Sequence, residues 1–122
     1  MSFTLGSIKI TTMTQAEAET IAEWSYETPY DFYDAKADHR DLAELLDPVQ
    51  RGDRYFSAHN ETGELIGFFG FAREDDAVGV GIGLRPDLTG RGLGLSFVEK
   101  GLAFAREQFA PARFRLLSLI HI

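Results

Sequence analysis

Residues 78–109 read VGVGIGLRPDLTGRGLGLSFVEKGLAFAREQF, and the pattern changes twice along them. Val78, Val80, Ile82 and Leu84 alternate with Gly79, Gly81 and Gly83. A period of two is that of a strand. Pro86 and Asp87 break it. Thr89-Gly90-Arg91-Gly92-Leu93-Gly94 follows, and a helical pattern begins at once. Leu95, Val98, Leu102, Ala105 and Phe109 recur at spacings of three and four, which predicts a one-face apolar stripe packed on a sheet. A helix entered from such a loop starts with unpaired N–H groups and the positive end of its dipole. That combination suits an anion, most often phosphate. Pro111 stops the helix, and Phe114 onward begins another strand. Strand, helix, strand implies a right-handed crossover and a parallel pairing.

Working outward, 122 residues suffice for one domain with a single core, taken as residues 1–122. The composition is that of a globular chain, 44% apolar and 25% charged, which argues against disorder. The absence of Cys excludes disulfides, thiolate metal sites and cysteine nucleophiles. No apolar run reaches membrane-spanning length, and no signal-peptide pattern opens the chain, so a cytoplasmic location is expected. A net charge of −7 disfavours nucleic acid as a partner. The acid is concentrated: between Met13 and Pro48 ten carboxylates face only Lys36 and Arg40. Either these are two solvated helix faces, or they set up a field that attracts a cationic partner such as an amine.

Before the quoted stretch, Leu5, Ile8 and Ile10 suggest a first strand ending at Thr12. Thr14 and Glu17 have the spacing of a capping box, opening a helix to about Trp24. Pro29 ends any helix, and Trp24 to Tyr33 packs five aromatics into ten residues. Trp24, Tyr26, Tyr30, Phe32 and Tyr33 are either a loop folded on the core or the rim of a substrate pocket. Asp38 to Leu46 reads as a second helix, and Gln50 to Arg54 as polar connection. Tyr55–His59, a turn at Asn60–Gly63, and Leu65–Ala72 form an antiparallel hairpin. Arg73–Asp76 turns into a third meander strand, Ala77–Leu84. Gly67 and Gly70 mark bulges or a close approach of another element.

The glycine loop is not a P-loop, because no Gly-Lys-Ser/Thr ends it. The dinucleotide fingerprint also fails: the third glycine position would be Phe97. Arg85-Pro-Asp-Leu-Thr-Gly-Arg-Gly-Leu-Gly94, after a hydrophobic strand, instead resembles the acetyl-CoA-binding motif of the GNAT superfamily of N-acetyltransferases. Gly92 and Gly94 fill the motif's two small positions, while Thr89 stands where Gln or Arg is usual. The order of elements also matches, over roughly residues 5 to 116. The aromatic loop and the hairpin resemble, less specifically, bacterial members acting on small amines or protein N-termini.

The resemblance implies an α/β (α+β) fold with a mixed sheet: an antiparallel meander, then a β-α-β crossover. It implies acetyl-CoA as cosubstrate and an amine acceptor, either a small molecule or a protein N-terminus or lysine. The pyrophosphate would lie on the amides of Gly90 to Leu95 (Gly90, Arg91, Gly92, Leu93, Gly94 and Leu95), beside Thr89, with Arg91 as countercharge. Pantetheine would pair with the backbone of Ile82, Gly83 and Leu84, where strands four and five splay apart. The N–H near Leu84 would stabilise the oxyanion during direct attack by the amine. A non-catalytic CoA- or nucleotide-binding module is the rival reading. Gly79, Gly81 and Gly83 clear one strand face, either for close packing or for the acceptor.

No general base is marked. Asp75 and Asp76 read as turn residues, and Glu27 or Asp31 could bind a cationic acceptor. His39, His59 and His121 lack metal spacing, so no metal is expected. The family continues past its fifth strand with a helix that commonly carries a Tyr acid, and here no Tyr follows Tyr55. The last six residues, LSLIHI, equal the translation of a transposase-end sequencing adapter. The expectation is therefore a chain cut short, with a non-native tail from Leu117, an exposed fifth strand and marginal stability.

Overall fold

A computed structural model describes residues 7–24, 39–74, 76–88, 92–110 and 113–119. Strand β1 spans Lys9–Thr12 and is followed by helix α1, Gln15–Ala22. The capping box predicted at its start is present. Glu17 N donates to Thr14 Oγ1 at 3.1 Å, and Thr14 N donates to Glu17 Oε1 at 2.9 Å. Ala18, Ile21 and Ala22 form its buried side.

Helix α2 covers His39–Leu46, and the Asp38 expected to cap it lies outside the described residues. The polar connection expected next is instead helical in part: Pro48–Arg51 forms a one-turn helix, α3. Asp47 caps it by accepting from Val49 N at 2.9 Å, and Pro48 occupies the first turn, where its missing N–H leaves nothing unpaired. Arg51 is only 5% exposed. Its guanidinium donates to Leu45 O and to Gln15 Oε1, and Gln15 Nε2 donates to Leu46 O. A cation and an amide thus satisfy the last carbonyls of α2, where the helix dipole favours positive charge.

The meander follows as β2 (Tyr55–His59), β3 (Leu65–Glu74) and β4 (Ala77–Leu84). Asn60–Gly63 turns between the first two, with Gly63 at φ 86°. A 3-10 turn at Pro86–Leu88 leads towards helix α4, Gly94–Phe109, and then β5, Arg113–Leu119. The sheet has five strands in the order β1-β2-β3-β4-β5. All pairs are antiparallel except β4 with β5, which is parallel, as a crossover through α4 requires.

The sheet is covered on both faces. Phe69 and Phe71 of β3 and Val78, Val80, Ile82 and Leu84 of β4 join Phe97 and Ala105 of α4 in one core. On the other face α1 and α2 bury Met13, Ala18, Ile21, Ala22 and Leu45, with Trp24, Tyr55, Leu65 and Phe68 against them. Among the described residues, no helix is long and apolar enough to cross a membrane.

Val98, Leu102, Ala105 and Phe109 pack on the core as expected, and the apolar stripe of α4 departs from the expected one at Leu95. Leu95 is 73% exposed, and the buried positions are Gly94, Phe97, Gly101 and Ala105. The reason is an interlock of rings and glycines. A Cβ on Gly67 would overlap the Phe97 ring and lie 2.7 Å from Gly83 O, and one on Gly101 would overlap the Phe69 ring. Phe97 and Phe69 themselves meet at 4.6 Å between centroids. Each ring sits where the opposing element has no side chain, so the helix approaches the sheet closely. Gly67 therefore serves close approach and also adjoins a bulge: Ala58 pairs with Gly67 and His59 with Leu65, so Ile66 is the extra residue on β3.

Candidate functional site

The close seating of α4 brings its first turn to the C-terminal end of β4. Leu93 precedes the helix at 4% exposure and is anchored in the core, with φ −91° and no side-chain cap. No side chain therefore occupies the N–H groups of the first turn through that position. Gly92 has φ 75°, and a Cβ there would meet nothing within 4 Å. Glycine is needed at this position for its backbone conformation, not for lack of room. The space left beside it suits a ligand that approaches the backbone. Thr89, Gly90 and Arg91, the other loop residues expected to hold pyrophosphate, lie outside the described residues. Leu95, expected on the core stripe, instead presents its side chain to solvent in the first turn of α4.

On β4, the three residues expected to meet pantetheine divide into two kinds. Arg85 N donates to Ile66 O at 2.8 Å, so the neighbouring partners Leu84 and Gly67 occupy a ladder position with no hydrogen bond between them. The alternation of an antiparallel ladder then directs the Leu84 and Ile82 N–H groups to the β5 side and the Gly83 N–H to Phe68. On the β5 side the ladder runs from Ala77↔Arg113 to Ile82↔Leu119, with a register shift between Val80 and Gly81. Ile82 therefore still has a strand partner, so β4 and β5 have not parted there as expected.

The glycine face of β4 is not open at Gly83. Phe68, its cross-strand partner, lays its ring where a Gly83 side chain would be. Trp24 stands next to it, 6.3 Å between ring centroids, and both rings are half-buried. Of the aromatic segment, only Trp24 is described; Tyr26, Tyr30, Phe32 and Tyr33 lie outside, as do Glu27 and Asp31. Phe68 was not singled out in the sequence, where LIGFFGF reads only as a buried strand. The signal available was its position opposite Gly83 once the hairpin register is drawn.

Two polar clusters were also missed. Arg85 forks onto Asp87, through Nε to Oδ1 at 2.6 Å and Nη2 to Oδ2 at 3.1 Å, and gives Nη1 to Leu65 O at 3.1 Å. The hydrogen bonds to Asp87 hold the guanidinium pKa above its ordinary value, against the opposite pull of burial. Glu17, beyond its capping role, meets His59 Nε2 at 2.5 Å, with the buried Ser57 beside them. Burial pushes the Glu17 carboxyl up, but hydrogen bonds from the Thr14 backbone, Ser57 and His59 outweigh it and hold the pKa below the usual range. Asp76 pairs with Arg113 at 3.3 Å, in keeping with a turn residue; Asp75 lies outside the described residues. His59 thus pairs with Glu17, while His121 is outside the described residues. No group of three potential metal ligands occurs among the described residues.

Comparison with known proteins bears on this arrangement. Residues 16–118 match the family model for the acetyltransferase (GNAT) family. No curated protein sequence matches the chain. The fold is similar to that of spermidine N-acetyltransferase from Vibrio cholerae in complex with CoA and spermine: TM-score 0.68, 13% identity, 89% of this chain and 69% of that one. A chimera of the Vibrio cholerae enzyme and hSSAT gives a TM-score of 0.69 at 14% identity, over 89% and 69% of the two chains. A GNAT-family acetyltransferase from Bacillus anthracis gives 0.64 at 14% identity, over 93% and 71%. At such identities the structures speak for the fold, and the sequence model speaks for descent. A meander that ends in a glycine-entered helix, matched by that model over nearly its whole length, means that the chain belongs to the GNAT acetyltransferase family.

Proposed function

We propose that this chain is an acyl-CoA-dependent N-acyltransferase, a single domain over residues 1–122, which moves an acetyl group from acetyl-CoA to a primary amine by direct attack. The observation that carries the reading is the entry to α4: Gly92 at positive φ with open space beside it, and a first helical turn without a side-chain cap. These features fit a pyrophosphate held by backbone amides. Gly90, Arg91, Gly92, Leu93, Gly94 and Leu95 would hold it, with Thr89 at the loop's start and the Arg91 guanidinium as countercharge. Acetyl-CoA supplies the activated acetyl thioester.

The pantetheine arm would lie along the β5 side of β4 near Gly83 and Leu84, past the Ile82–Leu119 pair that β5 already occupies. A backbone N–H near Leu84 would hydrogen-bond the carbonyl oxygen as negative charge builds there, which is worth most in a site that excludes water. β4 carries no carboxylate, so its contribution is orientation and charge stabilisation. The acceptor enters against Trp24, with Tyr26, Tyr30, Phe32 and Tyr33 completing the wall. The acid between Met13 and Pro48 favours an acceptor that is cationic elsewhere. The neighbours named for spermidine act on such amines, which supports the class. Acetyl-CoA chemistry and a cysteine-free chain both suit the cytoplasm.

Calorimetric titration with acetyl-CoA, together with thiol release over a panel of primary amines, tests the proposal. Saturable binding and amine-dependent release of CoA are expected. Binding without release from any amine would favour a non-catalytic CoA-binding module. No binding, with Gly92→Glu indistinguishable from wild type, would remove both readings.

A further inference from the structure

Helix α1 is held at one end and carries Trp24 at the other. Its first turn is tied to two other parts of the fold. Glu17 closes the capping box with Oε1 and meets Nε2 of His59, the last residue of β2, with Oε2 at 2.5 Å. Gln15 donates through Nε2 to Leu46 O at the end of α2 and accepts from Arg51 Nη2 of α3, both at 3.0 Å. Arg51 also donates to Leu45 O at 2.6 Å, and it is buried. A planar guanidinium shared between two acceptors fixes direction as well as distance. Ala18, Ile21 and Ala22 seat the rest of the helix on the core.

The far end runs directly into Trp24. Glu23 N donates to Thr20 O at 3.1 Å and Trp24 N to Ile21 O at 3.0 Å, so Trp24 leaves the helix in a set direction. Its ring stands 6.3 Å from that of Phe68, and the Phe68 ring covers Gly83 of β4. The eight residues of α1 rise about 12 Å along its axis. Over that length, a tilt of about 5° at the first turn moves the other end by roughly 1 Å. A displacement of that size is enough to spoil the orientation of a reacting group. We propose that His59, and Arg51 through Gln15, are positioning residues for the acceptor: they aim α1, and α1 sets where Trp24 stands against Phe68 beside Gly83. This rests on the acyl-CoA reading above. The effect belongs to the acceptor and not to the cosubstrate, because α4 packs on the opposite face of the sheet.

The test compares wild type with His59→Ala, His59→Gln and Gln15→Ala. Trp24 is the sole tryptophan, so acrylamide quenching of its fluorescence reads its cover directly. Thiol release gives kcat/KM for the amine that wild type uses best, and calorimetry gives the Kd of acetyl-CoA. His59→Ala should make Trp24 easier to quench and lower kcat/KM for the amine roughly tenfold, within what a misplacement of this size costs. The acetyl-CoA Kd should not change. His59→Gln keeps an N–H donor towards Glu17 and should restore both readouts. Gln15→Ala, at an exposed position, should move both in the same direction as His59→Ala; it decides the matter if circular dichroism shows His59→Ala unfolded. Unchanged quenching and unchanged amine kcat/KM in the alanine variants would overturn the proposal. So would an equal loss of acetyl-CoA affinity, which a general loosening of the fold produces. If wild type releases CoA with no amine, the acyl-transfer reading fails by itself, and Trp24 quenching alone then supports or overturns the aiming of α1.

Discussion

Gly92 shows how much one backbone angle carries. Its φ of 75° is reserved for glycine, and the space around it is open. Gly92→Ala therefore introduces strain and no clash, at about 1–2 kcal/mol, seen as a melting temperature lower by roughly 3–8 °C. It should also weaken acetyl-CoA, because relief of the strain moves the loop; calorimetry reads this. Phe68 is the second position of this kind. Phe68→Ala uncovers Gly83 and widens the wall beside Trp24. The amine profile should shift towards bulkier acceptors, with acetyl-CoA affinity unchanged, as read by thiol release over the panel. Trp24 is the sole tryptophan, so its fluorescence reports acceptor binding independently of turnover.

Glu17 shows a residue that serves two elements at once. It closes the α1 capping box and holds His59 of β2. Its folded pKa is depressed, so its stabilising contribution is present above the ordinary glutamate pKa of about 4.3 and is lost as pH falls through the lower folded value. Glu17→Gln should lower stability near neutral pH by about 1 kcal/mol, the scale of a lost cap. It should also flatten the acid limb of stability against pH, measured by urea unfolding across that range.

At the scale of elements, the decisive contact is that of α4 with β3 and β4. Phe97 lies over Gly67, and Phe69 over Gly101, so rings from each side use space that the other lacks. Gly67→Ala must displace the Phe97 ring and also meets Gly83 O, which is backbone and cannot swing aside. A loss of about 1–3 kcal/mol is expected, read from the denaturant midpoint. Its effect on acetyl-CoA binding should exceed that of a surface change, since the same contact sets where the first turn of α4 stands. The aromatic layer continues along the helix: Phe104 meets Phe56 at 4.9 Å, and Phe109 meets Phe71 at 5.4 Å. Leu95 stays outside this layer, while the other four positions of the predicted stripe pack on it. Aliphatic spacing alone ranked Leu95 above Phe97, because the glycine that admits Phe97 lies on another strand.

At the scale of the molecule, the sheet separates two jobs. One face seats α4 and with it the cofactor end of the proposed site; the other faces α1 and α2, with Trp24 and Phe68 against them. At the C-terminal end of β4, Leu84 closes one core and Gly83 lies under Phe68. Binding at that end should stabilise the whole fold. At a hundredfold excess over Kd, acetyl-CoA should add about 2.7 kcal/mol, visible as a raised melting temperature. An unchanged melt would contradict the site.

Local patterns carried the strands, the α1 capping box, the Asn60–Gly63 turn and the glycine-entered helix, because each depends on residues within a few positions of one another. The family was legible for the same reason: its motif is one continuous segment, Arg85 to Gly94. The structure alone could decide which side chains share a face across strands. Phe68 over Gly83, Phe97 over Gly67, Glu17 on His59 and the Arg85 contact with Leu65 all join residues distant in the chain. Period and propensity contain no register, and register is what assigns a glycine to a ring or to a ligand.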